Sequence, residues 1–245
     1  MYFALVFVIF NSRSTVCSGS LPGAGGLCPK KYMKGQRKVS VMKVKMIKSA
    51  GELESVTPFQ VECLLWGTKK IPKTYGYLGF VPEDGFYLKM ICEERDPLCA
   101  YEDDQAPVYR DSAMEAFFQF ETEMSRGRRE LYLNFEMNAK GALLAAYGEA
   151  RIYRSYFSPD DMKEFACRAT KEKDKWSVEL KIPVVILEKI YGPLHLECGS
   201  TFTCNFYKIS ETAEIEHYAS YSPIRTDTPS FHLPEFFAAA ELVEE

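Results

Sequence analysis

Aromatic and hydrogen-bonding side chains are the residues of this sequence whose types could bind a ligand. Sugars present flat C–H faces that stack on aromatic rings, and their hydroxyl groups need converging donors and acceptors. Aromatic residues near predicted strand ends or loops are Trp66, Tyr75, Tyr207, Tyr221 and Phe231. Polar residues that could rim such a site are Arg110, Asp111, Asn134, Lys208 and Arg225. Core packing is the alternative interpretation of any single aromatic, but the combination favours a stacking site with a polar rim.

Paired carboxylates offer a second chemistry, because two of them held roughly 5–9 Å apart across a sugar can hydrolyse a glycosidic bond. Candidate pairs are Asp111 with Glu115 and Glu136 with Glu149. Such pairs arise easily by chance in a chain with 34 acidic residues. The sequence contains no GxSxG, GxGxxG or HExxH motif and no phosphate-binding glycine-rich loop. A non-catalytic binding function is therefore favoured over hydrolysis.

The overall composition excludes several classes of partner. A net charge of -4 argues against nucleic acid, whose phosphates require a basic surface. No run of eighteen apolar residues is present, so no membrane span is predicted. The eight cysteines contain no CxxC pair and are interpreted as mostly reduced thiols. Reduced thiols suit a cytoplasmic protein.

Residues 1–41 differ from the rest of the chain. A short apolar stretch at 2–10 is followed by SGSLPGAGG and by the basic run KKYMKGQRK. We interpret residues 1–41 as a disordered or artefactual extension, with translation expected to begin at Met42. The alternative is a signal peptide cleaved near Cys17, which would make the protein exported.

The segment 131–151 predicts a β-hairpin around which the rest of the fold is organised. Leu133, Phe135 and Met137 alternate with polar residues, the period of two that is typical of a half-buried strand. Asn138 and Gly141 tolerate positive φ and supply the turn. A helix over 142–146 is the alternative, but glycines bracket too few residues for a stable one. We expect the apolar face to fill a core and the face with Asn134, Glu136 and Asn138 to be solvated or to bind a ligand.

Similar patterns along residues 42–245 predict one all-β domain. About ten strands are expected: at 61–66, 75–81 and 86–92, within 108–121, twice within 131–151, and at 176–182, 201–208, 216–221 and 236–243. Short helices are expected after the capping sequence Ser158-Pro159 and at 184–191. Short strands separated by frequent turns are typical of an antiparallel β-sandwich.

Six segments together resemble the family 9 carbohydrate-binding modules. They are, in order, PVYRDSAMEAFFQFE, LYLNFEMNAKGALLAAYG, KWSVELKIP, CNFYKIS, HYASYSPI and PSFHLPEFF. The resemblance covers most of residues 42–243. It implies a β-sandwich of jelly-roll type related to the DOMON domains. It also implies non-catalytic binding of a mono- or oligosaccharide, by its chain end, in a slot between two aromatics.

The resemblance also implies roles for individual residues. The family's Asp-Ser/Asp-x-x-Glu signature corresponds to the segment from Asp111 to Glu115. Tyr221 stands where related proteins often have a tryptophan, and Trp66 is the expected second stacking residue. The complete predicted ligand-binding set is Trp66, Arg110, Asp111, Glu115, Asn134, Tyr207 and Tyr221. Bound calcium, as in the founding modules, would be structural, and no other cofactor is expected. Two alternatives stay open: a role in O-glycosyl hydrolysis, and a DOMON-type domain with a non-sugar ligand such as haem.

Overall fold

The computed structural model describes residues 41–121, 131–211 and 216–244. These residues belong to one compact unit, Lys38–Glu245. Apart from Val41, the predicted N-terminal extension lies outside the described residues. The expected domain boundary at residue 42 therefore stays a prediction.

Strands dominate the described residues, as the alternating sequence predicts. The fourteen strands found there are β1 Met42–Met46, β2 Phe59–Gln60, β3 Cys63–Leu64, β4 Thr74–Val81, β5 Gly85–Cys92, β6 Ser112–Gln119, β7 Tyr132–Asn138, β8 Leu143–Gly148, β9 Ser155–Tyr156, β10 Arg168–Lys171, β11 Trp176–Pro183, β12 Thr201–Ser210, β13 His217–Ser220 and β14 Ala238–Val243. The α-helices are α1 Pro159–Glu164 and α2 Val184–Tyr191. Short 3-10 helices lie at Ala50–Ser55, Val108–Arg110 and Pro234–Phe236.

The strands join into one curled sheet in the order β10-β11-β5-β4-β1-β14-β12-β6-β7-β8-β9. β13 pairs with β12 and β3, and β2 pairs with β4. The sheet folds on itself, so that the half containing β4, β5 and β11 packs against the half containing β6, β7 and β12. This arrangement confirms the all-β sandwich. The expected antiparallel pairing needs one correction, because β1 runs parallel to both β14 and β4 where the two halves meet.

Aromatic side chains from both halves interlock in the core. The ring centroid of Phe86 on β5 lies 6.2 Å from that of Phe118 on β6 and 5.1 Å from that of Phe202 on β12. Phe59 stacks on Phe206 with centroids 4.0 Å apart. Burying such large apolar surfaces is the main favourable contribution to folding. These contacts therefore fix how the two halves of the sandwich face each other.

The predicted hairpin is confirmed as β7 and β8. Leu133, Phe135 and Met137 are fully buried in the core, as their alternation predicts. In the turn, the Asn138 Oδ1 atom accepts hydrogen bonds from the main-chain N–H groups of residues 140 and 142. Gly141 adopts φ 83°, which a glycine reaches without steric cost. The alternative of a helix over 142–146 was wrong.

Both predicted helices are present, whereas one predicted strand is much shorter than expected. The Ser158 Oγ accepts a hydrogen bond from the Asp161 N–H at 3.2 Å and caps α1. The strand predicted at 61–66 is confined to β3. It ends because Trp66 and Gly67 adopt φ values of 48° and 84°, in the left-handed region. Trp66 therefore lies in a turn beyond the strand.

The sandwich predicts that two leucines contribute very differently to the stability of the protein. Leu88 on β5 is 1% exposed and Leu64 on β3 is 45% exposed. We expect Leu88→Ala to reduce the free energy of unfolding, measured in urea, by about 2–5 kcal/mol. The substitution leaves a cavity between the two halves of the sandwich. The matched variant Leu64→Ala should cost less than about 1 kcal/mol. Equal losses in the two variants would contradict the assignment of the core.

Candidate functional site

The face of β6, β7 and β12 that points away from the core forms the floor of a cavity of about 270 Å³. Its polar floor residues are Glu115 on β6 and Asn134 and Glu136 on β7. Ile209 on β12 and Leu144 and Ala146 on β8 also line the floor. Successive side chains of a strand point to opposite faces, so residues adjacent to core residues face the cavity.

Five aromatic side chains line the cavity: Trp66, Tyr109, Tyr156, Tyr218 and Phe231. The sheet order places Tyr218 on β13, beside β12, and Tyr156 on β9, beyond β8. The floor strands lie between these two strands, so aromatic walls stand at both ends of the floor.

Trp66 is held in place by several contacts. Its ring centroid lies 5.4 Å from that of Phe231 and 5.5 Å from that of Tyr218. Its indole Nε1–H donates to the main-chain oxygen of Thr226 at 2.9 Å. Non-glycine residues rarely adopt a positive φ, and those held there by their surroundings concentrate at functional sites. The indole is therefore fixed at the cavity before any ligand arrives.

Glu115 and Glu136 form a carboxyl pair in the floor. They are directly opposite each other on the antiparallel strands β6 and β7. Burial raises the pKa of Glu115 well above its ordinary value, and the neighbouring Glu136 raises it further. Burial also raises the pKa of Glu136 to about 7, although a hydrogen bond from Asn134 acts in the opposite direction. The pair therefore retains a proton at neutral pH and presents both a hydrogen-bond donor and an acceptor.

Arg154 joins the floor to the segment that follows β8. Its guanidinium donates to the main-chain oxygens of Gly148 at 2.9 Å and Tyr132 at 3.0 Å, and to the side-chain oxygen of Asn134. The Nδ2 of Asn134 in turn donates to the Glu136 Oε1 at 3.0 Å. Burial lowers the pKa of Arg154, and the charge of Glu136 partly offsets this effect. The chain from Arg154 through Asn134 orients the Glu136 carboxyl.

His232 contributes a neutral side chain to the cavity lining. Its Nδ1 and the Tyr132 hydroxyl lie 3.0 Å apart, within hydrogen-bond distance. Burial lowers the pKa of His232 to about 3, and the charges of Arg154 and Arg151 lower it as well. The imidazole is thus neutral throughout the physiological pH range.

The predicted ligand-binding residues divide into two groups. Trp66, Glu115 and Asn134 line the cavity together. The second group does not line the cavity and consists of Arg110, Asp111, Tyr207 and Tyr221.

Asp111 and Tyr207 have partners within the protein. The Asp111 carboxylate accepts hydrogen bonds from the N–H groups of Ala100 and Tyr101 and from the Asn138 side chain at 2.8–3.1 Å. The Tyr207 ring stacks under Phe231 with centroids 4.2 Å apart. Asp111 and Tyr207 are fully buried, so they are placed to support the site rather than to contact a ligand.

Arg110 and Tyr221 lie away from the cavity floor. Arg110 is exposed, and the Tyr101 hydroxyl hydrogen-bonded to its guanidinium raises its pKa. The Tyr221 ring is half-buried and contacts Phe59 edge-on, with centroids 5.9 Å apart. Phe59 belongs to the core, so Tyr221 packs against the opposite face of the sheet.

Several cavity residues escaped prediction from sequence. They include Tyr109, Arg151, Arg154, Tyr156, Glu211, Tyr218 and His232. A local signal exists for Arg151, Arg154 and Tyr156. They belong to RIYRSY, a segment directly after the hairpin that has two arginines and two tyrosines in six residues. Tyr218 and His232 lie far away in the sequence, and only the folded chain brings them to this floor.

The described residues offer neither a membrane-spanning helix nor a metal site. They contain no helix that is long and apolar enough to span a membrane. They also contain no group of three or more His, Cys, Asp or Glu side chains arranged to hold a metal ion. The structural calcium that the resemblance implies stays a prediction.

Comparison with family models supplies the deciding observation. The model described as carbohydrate-binding family 9 matches residues 49–242, which is well over half of the chain. The chain belongs to carbohydrate-binding family 9. Membership confirms the resemblance predicted from the six segments and the expected class of function, carbohydrate binding. Comparison with curated proteins found no match.

Solved structures share the fold of this family 9 protein. The crystal structure of a candidate carbohydrate-binding protein from Bacteroides uniformis has a TM-score of 0.67 and 22% identity, and the match covers 83% of this chain and 98% of that one. A family 9 module from Caldicellulosiruptor kristjanssonii in complex with cellotriose has a TM-score of 0.58 and 10% identity over 84% and 95% of the two chains. A structure of a family 9 module from the same organism contains glucose, with a TM-score of 0.56 and 11% identity over 84% and 97%.

The carboxyl pair predicts how stability depends on pH. The folded protein retains a proton on Glu136 up to about pH 7, whereas an ordinary glutamate loses it near 4.5. The contribution of this raised pKa to the free energy of unfolding is fully present below pH 4.5. It is lost as the pH rises through 7, by roughly 3 kcal/mol in total. We expect Glu136→Gln to lose less unfolding free energy than the wild type between pH 5 and pH 8, measured by urea denaturation.

The matched control is Glu164→Gln, which changes an exposed glutamate on α1. It should follow the wild-type pH dependence. The interpretation would be wrong if Glu136→Gln and Glu164→Gln lost the same free energy over this range.

Proposed function

We propose that the cavity on β6, β7 and β12 is the carbohydrate-binding site of this protein. Aromatic walls at both ends of the floor offer ring faces to the C–H faces of a sugar. The floor between them offers carboxyl and amide groups to its hydroxyls. Ligand sites in proteins typically combine such apolar walls with a few converging polar groups.

The Oε2 atom of Glu136 is the observation that carries this proposal. It is buried, and no hydrogen-bond partner for it is found within the described residues. An unpaired buried polar atom costs about 1–3 kcal/mol, so buried groups normally have partners. The Oε1 atom of the same carboxyl is already bound by Asn134. A sugar hydroxyl in the cavity would supply the missing partner.

A glucose-type sugar is the ligand we propose. Support comes from the two Caldicellulosiruptor structures with this fold, which contain cellotriose and glucose. A neutral polyhydroxylated ring also suits the floor, because the Glu115 and Glu136 pair presents both a donor and an acceptor when it holds one proton.

We propose binding without hydrolysis. Glycosidases push the pKa values of their two carboxyls apart, so that one donates a proton while the other is ionised. Here burial raises the pKa of Glu136 to about 7 and also raises that of Glu115, so neither carboxyl is fully ionised at neutral pH. The pair nevertheless lies in a sugar-sized cavity, so hydrolysis is the second candidate function. It would appear as release of reducing ends from cellotriose or xylan, and we expect none.

Calorimetric titration with glucose and cellotriose tests the site. We expect saturable binding by the wild type and a loss of about tenfold or more in Trp66→Ala, because that substitution removes a stacking face. Trp66→Phe should retain part of the affinity. Each variant must first show the wild-type unfolding temperature.

Tyr221→Ala is the control, since Tyr221 packs on Phe59 outside the cavity. Its affinity should stay within about twofold of the wild type. The proposed site is wrong if Tyr221→Ala abolishes binding while Trp66→Ala does not. Failure of the wild type to bind any of a panel of mono- and oligosaccharides would remove the proposed function.

A further inference from the structure

Three glutamates line the cavity on β6, β7 and β12: Glu115 on β6, Glu136 on β7 and Glu211, which follows β12. Glu115 and Glu136 are 3% and 5% exposed, whereas Glu211 is exposed. Glu115 lies directly opposite Glu136. Opposite residues of antiparallel strands have Cβ atoms about 4.5–5.5 Å apart, so the two buried carboxyls can converge on one group of a ligand.

Two arginines also line the cavity, but they do not supply the carboxyl pair with a full counter-charge. The Arg154 guanidinium donates to four main-chain oxygens of β7, β8 and the turn after β8, and to the Asn134 side chain. Arg151 is exposed. Burial raises the pKa values of Glu115 and Glu136 in spite of these positive charges. The pair is therefore neutralised by a proton rather than by a cation of the protein.

The Oε2 atom of Glu136 also distinguishes a charged ligand group from a neutral one. It is buried and has no hydrogen-bond partner within the described residues, whereas Oε1 accepts from Asn134 at 3.0 Å. A hydroxyl group has one hydrogen to donate and carries no charge. A protonated amine has three N–H donors and a positive charge, so it can bind Oε2 and the facing Glu115 carboxyl together. Hydrogen bonds between charged groups are roughly twice as strong as neutral ones.

The walls of the cavity suit a cation as well as a sugar ring. Five aromatic side chains line it, those of Trp66, Tyr109, Tyr156, Tyr218 and Phe231. The face of an aromatic ring carries partial negative charge and attracts an ammonium group, so proteins often bind ammonium ligands in pockets lined by aromatic rings. The walls and the carboxyl pair therefore favour the same ligand group, a protonated amine.

We propose that the cavity prefers an amino sugar, in which a protonated amine replaces one hydroxyl of a glucose-type ring. This inference rests on the proposed function and deepens it by naming the substrate class. When the ammonium group binds, it replaces the proton held by Glu115 and Glu136, and that proton passes to the solvent. A neutral sugar thus binds the protonated pair and an amino sugar binds the ionised pair, in the same cavity.

Other titratable groups surround the carboxyl pair. The pKa of Tyr132 is raised to about 12 and that of His232 is lowered to about 3, in both cases chiefly by burial, so neither group changes its charge near pH 7. The remaining groups are Tyr109 before β6, Arg151 and Arg154 after β8, Tyr156 on β9, Tyr207 on β12, Glu211 after β12 and Tyr218 on β13. Substitutions in the pair itself are therefore needed to assign a proton that binding releases.

Calorimetry at pH 7 tests the preference with glucose, glucosamine and the isomers that carry the amine at carbon three or carbon six. We expect the wild type to bind at least one amino derivative about tenfold or more tightly than glucose, because a charged hydrogen bond replaces a neutral one. The N-acetyl form of that derivative is neutral and should lose this gain. Heats measured in phosphate and in Tris, which take up protons with different enthalpies, should show that the amino derivative releases more protons than glucose.

Variants of the carboxyl pair locate the amine. Glu136→Gln and Glu115→Gln keep the size of the side chain but cannot ionise. Each should bring the ratio of amino-sugar affinity to glucose affinity close to one and abolish the extra proton release. Glu136→Asp keeps a carboxyl and should retain part of the ratio. The matched control Glu164→Gln, on α1 outside the cavity, should keep the wild-type ratio.

The outcomes separate this inference from the proposed function. If no amino derivative binds more tightly than glucose, or if the N-acetyl form keeps the gain, the inference is wrong and the cavity proposal stands. A preference that survives in both Glu136→Gln and Glu115→Gln would also overturn it, because the amine would then bind elsewhere. The wild-type comparisons decide the question even if both variants fail to fold. Absence of binding to any sugar, amino sugars included, would instead remove the cavity proposal and, with it, this one.

Discussion

The register between β6 and β7 is the constraint on which both faces of this half-sandwich depend. It sets Glu115 opposite Glu136, and on the other face it sets Met114 opposite Met137. Side chains alternate along a strand, so a slip of one strand by a single residue would turn its carboxyl into the core. Burying an unpaired carboxyl in the core is strongly unfavourable, so the shifted register would be much less stable. The apolar core thus fixes the position of the polar floor.

Arg154 extends this order beyond the sheet. One guanidinium satisfies main-chain oxygens on β7, on β8 and in the turn after β8. Through Asn134 it also fixes the carboxyl of Glu136. Buried carbonyl groups without partners would destabilise the fold, so the arginine is needed for structure as well as for the site. The same contacts that stabilise the turn hold the polar groups of the floor in place, and groups held in place in this way lose less entropy when they bind.

Local patterns in the sequence predicted the hairpin and both helices, since each depends on neighbours within a few residues. They also placed Asn134 and Glu136 on the outer face. They did not distinguish Tyr218 from Tyr221. These tyrosines are three positions apart, so an extended chain turns them to opposite faces. Which one faces the cavity depends on long-range pairing, as does the contact between Tyr132 and His232, 100 residues apart. No local pattern encodes such pairings.

The anchoring of the turn after β8 has a consequence for redesign. Arg154 binds main-chain oxygens there rather than the side chains of its neighbours, so the shape of the turn depends little on which residue occupies 152. Position 153 adopts φ 65°, so it accepts mainly residues without a β-branch. Position 152 could be randomised in a library, and 153 varied within that limit, while Gly148 and Arg154 are kept. The scaffold would then display variable side chains beside an unchanged cavity, and its ligand range could be selected without refolding the site.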